Sequence, residues 1–401
     1  MSRLWDKGAP LDERVLAYTA GEDHVIDERL VSYDIEASIA HADMLALGGL
    51  LSAADHASIR DALRAIGAEH AEGGWRLTLA EEDCQTAIEN RLTERIGAAG
   101  GRLHAGRSRN DQVLAALRLY LRDVTHALHA EALAVAEALE ALAARDGAIA
   151  LPGYTHMQQA MPSTVALWAL GFGAEIRDDA EGLRLAARRS GKNPLGSAAG
   201  YGTPNLDIDR DATRSSLGFA VTHEPVTAVQ LSRGKAEAHL LFEITLLTQD
   251  IGRLAADLLL FYTQEFGFVA LSDEFTTGSS IMPQKRNPDV FELMRGRSAV
   301  ALAALVEVLG ITQKLSSGYH RDLQLIKPPL FRGIDSCRQT LAILPAALAG
   351  VRFRPERIRM DPSVHAAGSA NALVAKHDMP FRDAYRQVAA TLKDATLKGK
   401  K

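Results

Sequence analysis

One stretch decides the fold: residues 240–261 read LLFEITLLTQDIGRLAADLLLF. Its apolar side chains recur in alternating steps of four and three, at Leu240, Ile244, Leu247, Ile251, Leu254, Leu258 and Phe261. A mean spacing of about 3.5 residues forms one apolar seam along a helix and favours long, nearly parallel helices with a left-handed twist. The sequence therefore predicts a long helix that packs within a bundle.

Four more stretches predict long helices, at residues 111–145, 162–189, 288–315 and 329–348. Aromatic content is only 5%, β-branched runs are scarce, and Ala and Leu recur at helical spacing. The fold class that follows is all-α, with a multi-helix bundle at its centre. Residues 299–311 are apolar nearly all round, which predicts burial on every side. One chain could not cover all of this apolar surface, so we expect an oligomer.

Glycine clusters divide the chain into three predicted domains. Shorter helices are predicted at residues 26–51, 53–72 and 82–96, with breaks at residues 48–49, 73–74 and 97–101. We expect an N-terminal helical domain at residues 1–105 and a central long-helix domain at 106–349. A short C-terminal helical domain follows at 350–401.

The bulk composition excludes several classes of function. With 401 residues and a net charge of -5, the chain lacks the concentrated basic face that nucleic acid binding requires. Cys84 and Cys337 are too few for a disulfide framework. The first residues lack the apolar core of a signal peptide, and the longest apolar run is broken by Glu307 and too short for a bilayer. We expect a cytoplasmic protein with no membrane or nucleic acid partner.

Residues 276–289, TTGSSIMPQKRNPD, form the most unusual loop. Gly278 permits backbone angles closed to other residues, while Pro283 and Pro288 stop a helix from running through. Polar groups in a loop held by rigid helices often build a site, although a plain connector rich in Ser, Thr and Pro is the alternative. The ordered pattern Gly-Ser-Ser-x-Met-Pro-x-Lys-x-Asn favours the site.

Three other polar stretches adjoin predicted helices, and each has a structural alternative. Residues 106–112, GRSRNDQ, could simply cap a helix, but so many polar groups at a helix N-terminus also suit a bound carboxylate. Residues 152–159, PGYTHMQQ, hold His156 among polar neighbours, although a lone histidine is more often structural. Residues 316–327 could be a helix end with basic residues near the dipole.

No P-loop, zinc motif or Ser-His-Asp arrangement occurs in the sequence. We therefore expect acid–base chemistry that uses neither a metal nor a nucleotide cofactor.

Together, the four stretches resemble the argininosuccinate lyase family of the fumarase/aspartase superfamily. The matching blocks are residues 108–112, 153–156, 278–289 and 319–327, and the resemblance covers most of the first 350 residues. The first and last blocks distinguish this family from fumarase, aspartase and adenylosuccinate lyase. The resemblance implies a homotetramer of long-helix bundles whose active sites each draw on three chains. It also implies reversible β-elimination of argininosuccinate to L-arginine and fumarate, in arginine biosynthesis.

The resemblance assigns roles residue by residue. Ser279 matches the general base, Lys285 would stabilise negative charge, and His156 would act as acid or proton relay, oriented by Glu292. The implied catalytic set is completed by Thr155, which also matches a contact to the succinyl part. The implied substrate-binding residues are Asp27, Ser108, Arg109, Asn110, Gln158, Asn287, Tyr319, Gln324 and Lys327.

The chain departs from the family pattern at three places. Asp23 stands where the family often has serine, and Asp83-Cys84-Gln85 replaces Asp-x-His. Residues 232–235 read Ser-Arg-Gly-Lys where Ser-Asp-Arg-Asp is typical, so an arginine contact to substrate is displaced. Two alternative functions follow: another lyase of the superfamily, such as adenylosuccinate lyase, or a non-enzymatic homologue of the lens-crystallin kind. The presence of all four central residues argues against the second.

Overall fold

The structure is a computed structural model and describes residues 12–398. α-Helices dominate it, as the sequence predicts. In chain order they are α1 (Glu13–Ala20), α2 (Asp23–Ile26), α3 (Val31–Leu47), α4 (Ala53–Ala71), α5 (Cys84–Ile96), α6 (Ala98–Arg102), α7 (Arg109–Asp146), α8 (Val165–Ser190), α9 (Arg210–Ser216), α10 (Val226–Leu231), α11 (Lys235–Tyr262), α12 (Asp289–Thr312), α13 (Lys327–Gly350), α14 (Ala366–His377) and α15 (Phe381–Lys398).

Three short strand pairs accompany the helices in the described residues. Strands β1 (Ala150–Thr155) and β2 (Gln158–Thr164) form an antiparallel hairpin. Strands β3 (Lys192–Asn193) and β4 (Val221–Thr222) pair in parallel, and β5 (Val269–Leu271) pairs with β6 (Val351–Phe353) in antiparallel orientation. None of the pairs extends into a larger sheet.

All five predicted long helices are confirmed, as α7, α8, α11, α12 and α13. The seam that predicted α11 is buried at each of its seven positions, from Leu240 to Phe261. The same holds for α7, where the residues seven apart from Leu114 to Leu142 are all buried. Heptad spacing therefore identified the faces that pack in the core.

The prediction that residues 299–311 are buried on every side is wrong for the single chain. Ala304 and Val308 are buried, but Leu302, Val306 and Leu309 are 45%, 61% and 48% exposed. A helix packed within one chain buries only the stripe that faces its neighbours, and the remaining apolar face of α12 is uncovered.

The hairpin corrects the prediction of a helix from residue 162, and it includes the polar stretch at residues 152–159, for which a loop would have been expected between two helices. Pro162 lies in β2 opposite Pro152, and α8 begins only at Val165. The tight turn consists of His156 and Met157, whose φ angles are 51° and 60°. Positive φ at both turn residues matches the twist of the flanking strands, so the hairpin closes without a longer loop.

The predicted helix over residues 26–51 is divided. A 3-10 turn at Asp27–Leu30 separates α2 from α3, and it directs the Asp27 side chain towards Lys327. The glycine break expected at residues 97–101 contains the one-turn helix α6. The predicted helices over 53–72 and 82–96 are confirmed as α4 and α5.

The described chain divides into two compact units. Unit 1 comprises the residues up to Ala130, Asp179–Leu247 and Ala299–Arg338, and unit 2 comprises Glu131–Asp178, Thr248–Ser298 and the residues from Gln339 onward. One core cluster of unit 1 joins Ala37 and Ala40 of α3 to Ala115 and Leu119 of α7. The division into domains at residues 105 and 349 stays a prediction.

Unit 2 has an aromatic core built around Trp168 of α8. Its ring lies within 5.8 Å of the rings of Phe172, Phe261 and Phe353, measured between centroids. The indole N–H donates to Asp257 Oδ2 over 3.0 Å, so the polar end of this side chain is satisfied. This core ties α8 and α11 to strand β6.

Within residues 12–398, no helix is both long and apolar enough to span a bilayer.

Candidate active site

The loop at residues 276–289 is closed at its base by a backbone bridge. Thr277 N–H donates to the Asn287 carbonyl over 3.0 Å, and Asn287 N–H donates to the Thr277 carbonyl over 2.8 Å. The Asn287 amide adds a hydrogen bond of 3.1 Å to the Gly278 carbonyl. The helix α12 begins at Asp289, directly after Pro288, as the sequence predicts. The loop is therefore anchored at its two ends, with its tip between them.

Ser279 lies inside this loop, and its hydroxyl oxygen accepts from the backbone. Met282 N–H donates to Ser279 Oγ over 3.2 Å and Ile281 N–H over 3.4 Å. Two N–H dipoles directed at one oxygen stabilise negative charge on it, because they favour the ionised form of the acceptor. These N–H groups are one part of what a serine base requires, the others being a nearby cation and exclusion of water.

Gly278 does not use the freedom that glycine alone has. Its φ lies outside the left-handed region, and a Cβ added there would meet no atom within 4 Å. In this conformation, nothing at position 278 requires a glycine.

Lys285, Asn287 and Glu292 line a cleft of about 1090 Å³ in unit 2. Met157, at the tip of the hairpin, lines the same cleft. The Lys285 side chain is exposed and has no ion-pair partner among the described residues. A free ammonium and an amide beside an open cleft can bind a carboxylate.

The same cleft is lined by four cations that were not predicted from the sequence as site residues, namely Arg286, Arg295, Arg354 and Arg357. Arg357 donates to the Gln264 carbonyl over 3.2 Å, and Arg354 donates to Glu356 over 3.1 Å. No motif marked the last three of these residues, because two of them lie after β6 and reach the cleft only through the fold. The cleft is cationic as a whole and suits an anionic ligand.

His156 occupies the hairpin turn and is exposed. Thr155, the last residue of β1, pairs with Gln158, the first residue of β2, on either side of the turn. A non-glycine residue in the left-handed region costs energy and is often found at functional sites. No hydrogen bond joins His156 to Glu292 in the described structure, so the orienting role of Glu292 stays a prediction.

The start of α7 shows the capping that was the structural alternative for residues 106–112. Asn110 N–H donates to Ser108 Oγ over 3.3 Å, and Ser108 N–H donates to Asp111 Oδ1 over 2.9 Å. This reciprocal pair resembles a capping box. The cap occupies Ser108 and Asp111 but leaves the side chains of Arg109 and Asn110 free to face a cavity.

That cavity belongs to unit 1 and collects most of the remaining predicted residues. Its lining consists of Asp23, Asp83, Arg109, Asn110, Val113, Arg233, Tyr319, Arg321, Gln324 and Lys327. Arg109 forms an ion pair with Asp83 over 3.1 Å. The Gln324 amide donates to the Thr19 carbonyl over 3.0 Å. A small cavity with both charges on its wall suits a zwitterionic group.

Two predicted substrate contacts, Asp27 and Lys327, bind each other. Lys327 Nζ donates to Asp27 Oδ1 over 2.6 Å and lies 2.9 Å from Asp23 Oδ2. Burial raises the pKa of Asp27 to about 7, against the opposing effect of Lys327. Burial lowers the pKa of Lys327, but its two carboxylates outweigh this, and the pKa lies above its ordinary value. Of the two, only Lys327 lines the cavity.

A buried polar network lies behind the start of α7. Arg107 donates to Ser38 Oγ over 2.9 Å, and Ser38 donates to Asp34 Oδ1 over 3.1 Å. His41 Nε2 lies 2.8 Å from the Ala105 carbonyl, and burial lowers the pKa of His41 to about 3. The ring is therefore neutral at physiological pH and donates to that carbonyl. The network fixes the backbone that leads into Arg109 and Asn110.

The predicted site residues fall into two groups, one in each unit. Unit 1 holds Asp27, Ser108, Arg109, Asn110, Tyr319, Gln324 and Lys327, and unit 2 holds Thr155, His156, Gln158, Ser279, Lys285, Asn287 and Glu292. The sequence reading did not select Asp23, Asp83, Arg233 and Arg321 for the cavity of unit 1. Two of these, Asp23 and Arg233, stand at positions where the chain departs from the family pattern, and that departure was their signal.

Comparison with known proteins agrees with this fold. A family model described as lyase matches residues 12–302. Among solved structures, EDDS lyase in complex with formate has a TM-score of 0.83 at 25% identity, covering 98% of this chain and 78% of that one. The class II fumarase of Schistosoma mansoni has a TM-score of 0.81 at 16% identity, covering 96% and 89%. The chain is a member of the lyase family with the fold of these enzymes.

Curated relatives define the family more narrowly. Argininosuccinate lyase of Sorangium cellulosum is 45% identical over 392 residues, which are 97% of this chain and 90% of the relative. Argininosuccinate lyase of Thermotoga neapolitana is 38% identical over 390 residues, which are 96% and 97%. The chain belongs to the argininosuccinate lyase family.

Proposed function

We propose that this protein is an argininosuccinate lyase and cleaves argininosuccinate to L-arginine and fumarate by reversible β-elimination. The observation that carries the proposal is the loop of unit 2. It holds Ser279 Oγ under two backbone N–H groups and presents Lys285 and Asn287 to a cationic cleft. Curated relatives that are 38% and 45% identical over nearly the full length of this chain support the same reaction and substrate.

In the proposed reaction, ionised Ser279 takes a proton from the carbon next to a carboxylate of the succinyl part. The electron pair left on that carbon delocalises into the carboxylate, which then carries two negative charges. Lys285 and the amide of Asn287 stabilise this dianion through charge-assisted hydrogen bonds. The carbon–nitrogen bond then breaks, the electron pair leaves with the guanidinium nitrogen, and fumarate forms.

The departing nitrogen needs a proton, which we assign to His156. The histidine is exposed at a rigid turn, where it can meet a substrate without moving the backbone. Glu292 would orient the ring and raise its basicity once the site is assembled. Thr155 and Gln158, beside the turn, would contact the succinyl part.

The amino-acid half of the substrate would bind in the cavity of unit 1. Asn110 and Tyr319 offer neutral polar groups, and Arg109 and Lys327 offer cations within ion pairs. A ligand with both an ammonium and a carboxylate fits such a wall of paired charges better than a simple anion does.

A homotetramer with shared active sites would unite the two groups of residues. The uncovered apolar face of α12, with Leu302, Val306 and Leu309, supports an oligomer, because exposed apolar patches mark surfaces that bind another protein. Cytoplasmic location, the absence of a metal or nucleotide cofactor, and the absence of nucleic acid and membrane partners belong to the same proposal.

The experiment is a turnover assay on the purified chain with argininosuccinate and, separately, adenylosuccinate, following the absorbance of fumarate. Release of fumarate from argininosuccinate supports the proposal. Turnover of adenylosuccinate alone would reassign the substrate. A folded oligomer that acts on neither would indicate a crystallin-like homologue.

A further inference from the structure

One buried cation in the cavity of unit 1 has no partner for its donors. Arg233 is only 5% exposed, yet it lines the cavity. Its Nε and Nη1 are buried, and neither has a hydrogen-bond partner among the described residues. Buried guanidinium groups are normally satisfied, since leaving a donor unpaired away from water costs free energy. An unsatisfied one beside a cavity indicates a place for an anionic ligand.

The surroundings keep Arg233 in place and charged. Ser232, its neighbour, accepts from Arg118 Nη2 over 2.7 Å, and Arg233 N–H donates to the Gln230 carbonyl over 3.2 Å. Burial lowers the pKa of Arg233, whereas Glu237, Tyr319 and Asp23 act in the opposite direction. An arginine remains protonated even so. The guanidinium is therefore a fixed cation at the cavity wall.

The neighbouring position cannot supply this cation. Gly234 has a φ of 84°, in the left-handed region, and a Cβ added there would lie 2.6 Å from Thr312 Cγ2. Position 234 is where the pattern Ser-Asp-Arg-Asp has its arginine. In this chain, a side chain at position 234 would clash with the Thr312 side chain and would need left-handed backbone angles, and the arginine stands one residue earlier.

We propose that Arg233 binds the α-carboxylate of the amino-acid half of the substrate and thereby sets specificity for ligands with that group. The inference rests on the proposed function, since it concerns the same reaction. The planar fork of an arginine matches a carboxylate with two parallel hydrogen bonds. Asp23, in the same cavity, already pairs with Lys327, which leaves Arg233 as the cation without a protein partner there.

The test removes the carboxylate from the ligand and the guanidinium from the protein in turn. L-Arginine and its decarboxylated analogue agmatine are titrated calorimetrically into the full wild-type chain and into Arg233→Met. The wild type should bind L-arginine roughly 10- to 100-fold more tightly than agmatine, as expected for one charge-assisted bidentate contact. In Arg233→Met the two affinities should become nearly equal. Agmatine lacks the carboxylate that Arg233 would bind, so the substitution should weaken the binding of L-arginine only.

Arg321→Met is the matched control. Arg321 lines the same cavity, but it already donates to the Thr19 carbonyl over 2.8 Å. This variant should keep the wild-type preference for L-arginine. If Arg233→Met does not fold, Arg233→Lys replaces it, and the preference should fall because an ammonium lacks the fork.

Two results would overturn the inference. The first is a wild type that binds both ligands equally or neither of them. The second is an Arg233 variant that retains the wild-type preference. The turnover assay separates these from failure of the proposed function: a chain that distinguishes the two ligands but releases no fumarate would refute only the proposed reaction.

Discussion

Lys327 Nζ lies 2.6 Å from Asp27 Oδ1, and both side chains are almost fully buried, although 300 residues separate them in the sequence. The pair connects the first turn of α13 to the 3-10 turn before α3. The lysine lines the cavity of unit 1, and the aspartate lies behind it. Asp27 therefore holds Lys327 in position at the cavity, although Asp27 itself does not line it.

The first prediction concerns this ion pair. Lys327→Met leaves Asp27 and Asp23 buried without their cation, and we expect a loss of about 3–5 kcal/mol in the free energy of unfolding. The double variant Asp27→Asn/Lys327→Met removes charge from both sides and should recover much of the loss. Urea unfolding of the three chains measures both effects.

A surface pair provides the control for this prediction. Arg332 and Glu307 form an ion pair on α13 and α12, with side chains 50% and 46% exposed. Arg332→Met should cost no more than about 1 kcal/mol, because water screens exposed pairs. Equal losses for Arg332→Met and Lys327→Met would show that burial of the Lys327 pair has no energetic weight.

The second prediction separates the two adjacent serines of the loop. Only Ser279 Oγ accepts backbone N–H groups, while Ser280 is exposed at the loop tip. Ser279→Ala should lower kcat by about 10²- to 10⁴-fold, the usual contribution of a general base, and leave the melting temperature unchanged. Ser280→Ala should keep nearly full activity. Loss of activity in Ser280→Ala instead would transfer the role of base to that residue.

The third prediction concerns sites shared between chains. His156→Asn and Ser279→Ala are each expected to be inactive, because each lacks one of the two proton-transfer groups. After subunit exchange, mixed oligomers should regain part of the activity, since some sites would receive both residues intact. Each variant mixed with itself is the control. Mixed oligomers that are verified by mass and remain inactive would contradict active sites built across chains.

The long helices could be predicted from sequence because their signal is local. The seam from Leu240 to Phe261 repeats within one helix, and every position in it is buried. The hairpin at residues 150–164 gave no such signal, since its strands contain Pro152 and Pro162 and are held by pairing between strands. Exposure of Leu302 and Val306 was also missed, because a pattern in one helix does not show which neighbours the chain supplies.

The ordered motifs predicted most residues of the candidate site. The side chains that contact those residues could not be predicted, because they are brought there by the packing of the fold. The sequence predicted Lys327 as a substrate-binding residue, yet nothing in the sequence showed that Asp27 would bind this lysine. Likewise, the sequence showed that residues 232–235 depart from the family pattern Ser-Asp-Arg-Asp. The closed space at Gly234 and the unpaired donors of Arg233 depend on where α12 and the cavity lie.

The fourth prediction concerns pH and Asp111. Burial raises the pKa of Asp111 to about 7, although the N–H groups of Ser108 and Ala198 oppose this by donating to it. A raised pKa means that the folded chain holds this proton more firmly than the unfolded chain, whose value is 3.8. Its contribution to stability is therefore full below about pH 4 and is lost as the pH rises to about 7.

Comparison with Asp111→Asn isolates this contribution, because the amide does not titrate. The stability of the wild type relative to the variant should fall by up to about 4 kcal/mol between pH 4 and pH 7. His41 acts in the opposite direction: its pKa of about 3 makes the fold gain stability as the pH rises towards 6.5. The wild-type curve alone therefore mixes Asp111 with His41, Asp27 and other buried titratable groups, whereas the difference between the wild type and Asp111→Asn isolates Asp111. A difference that is constant with pH would refute a protonated Asp111.

The fifth prediction concerns movement of the loop between Thr277 and Asn287. Its base is pinned by the backbone bridge, while Ile281 at its tip is 83% exposed. Few contacts hold the tip, so we expect rapid amide hydrogen exchange at residues 279–285 in the empty protein. Fumarate should slow this exchange, because closure over the ligand excludes water and brings Lys285 to the carboxylate.

Gly278→Ala tests whether closure needs a hinge at that residue. In the present conformation, an alanine fits without strain, so the melting temperature should not change. If closure turns Gly278 into the left-handed region, the variant should lose both kcat and the protection by fumarate, since a Cβ is disfavoured there. Full activity and full protection in the variant would show that the loop closes about another point, and equal exchange with and without fumarate would exclude closure itself.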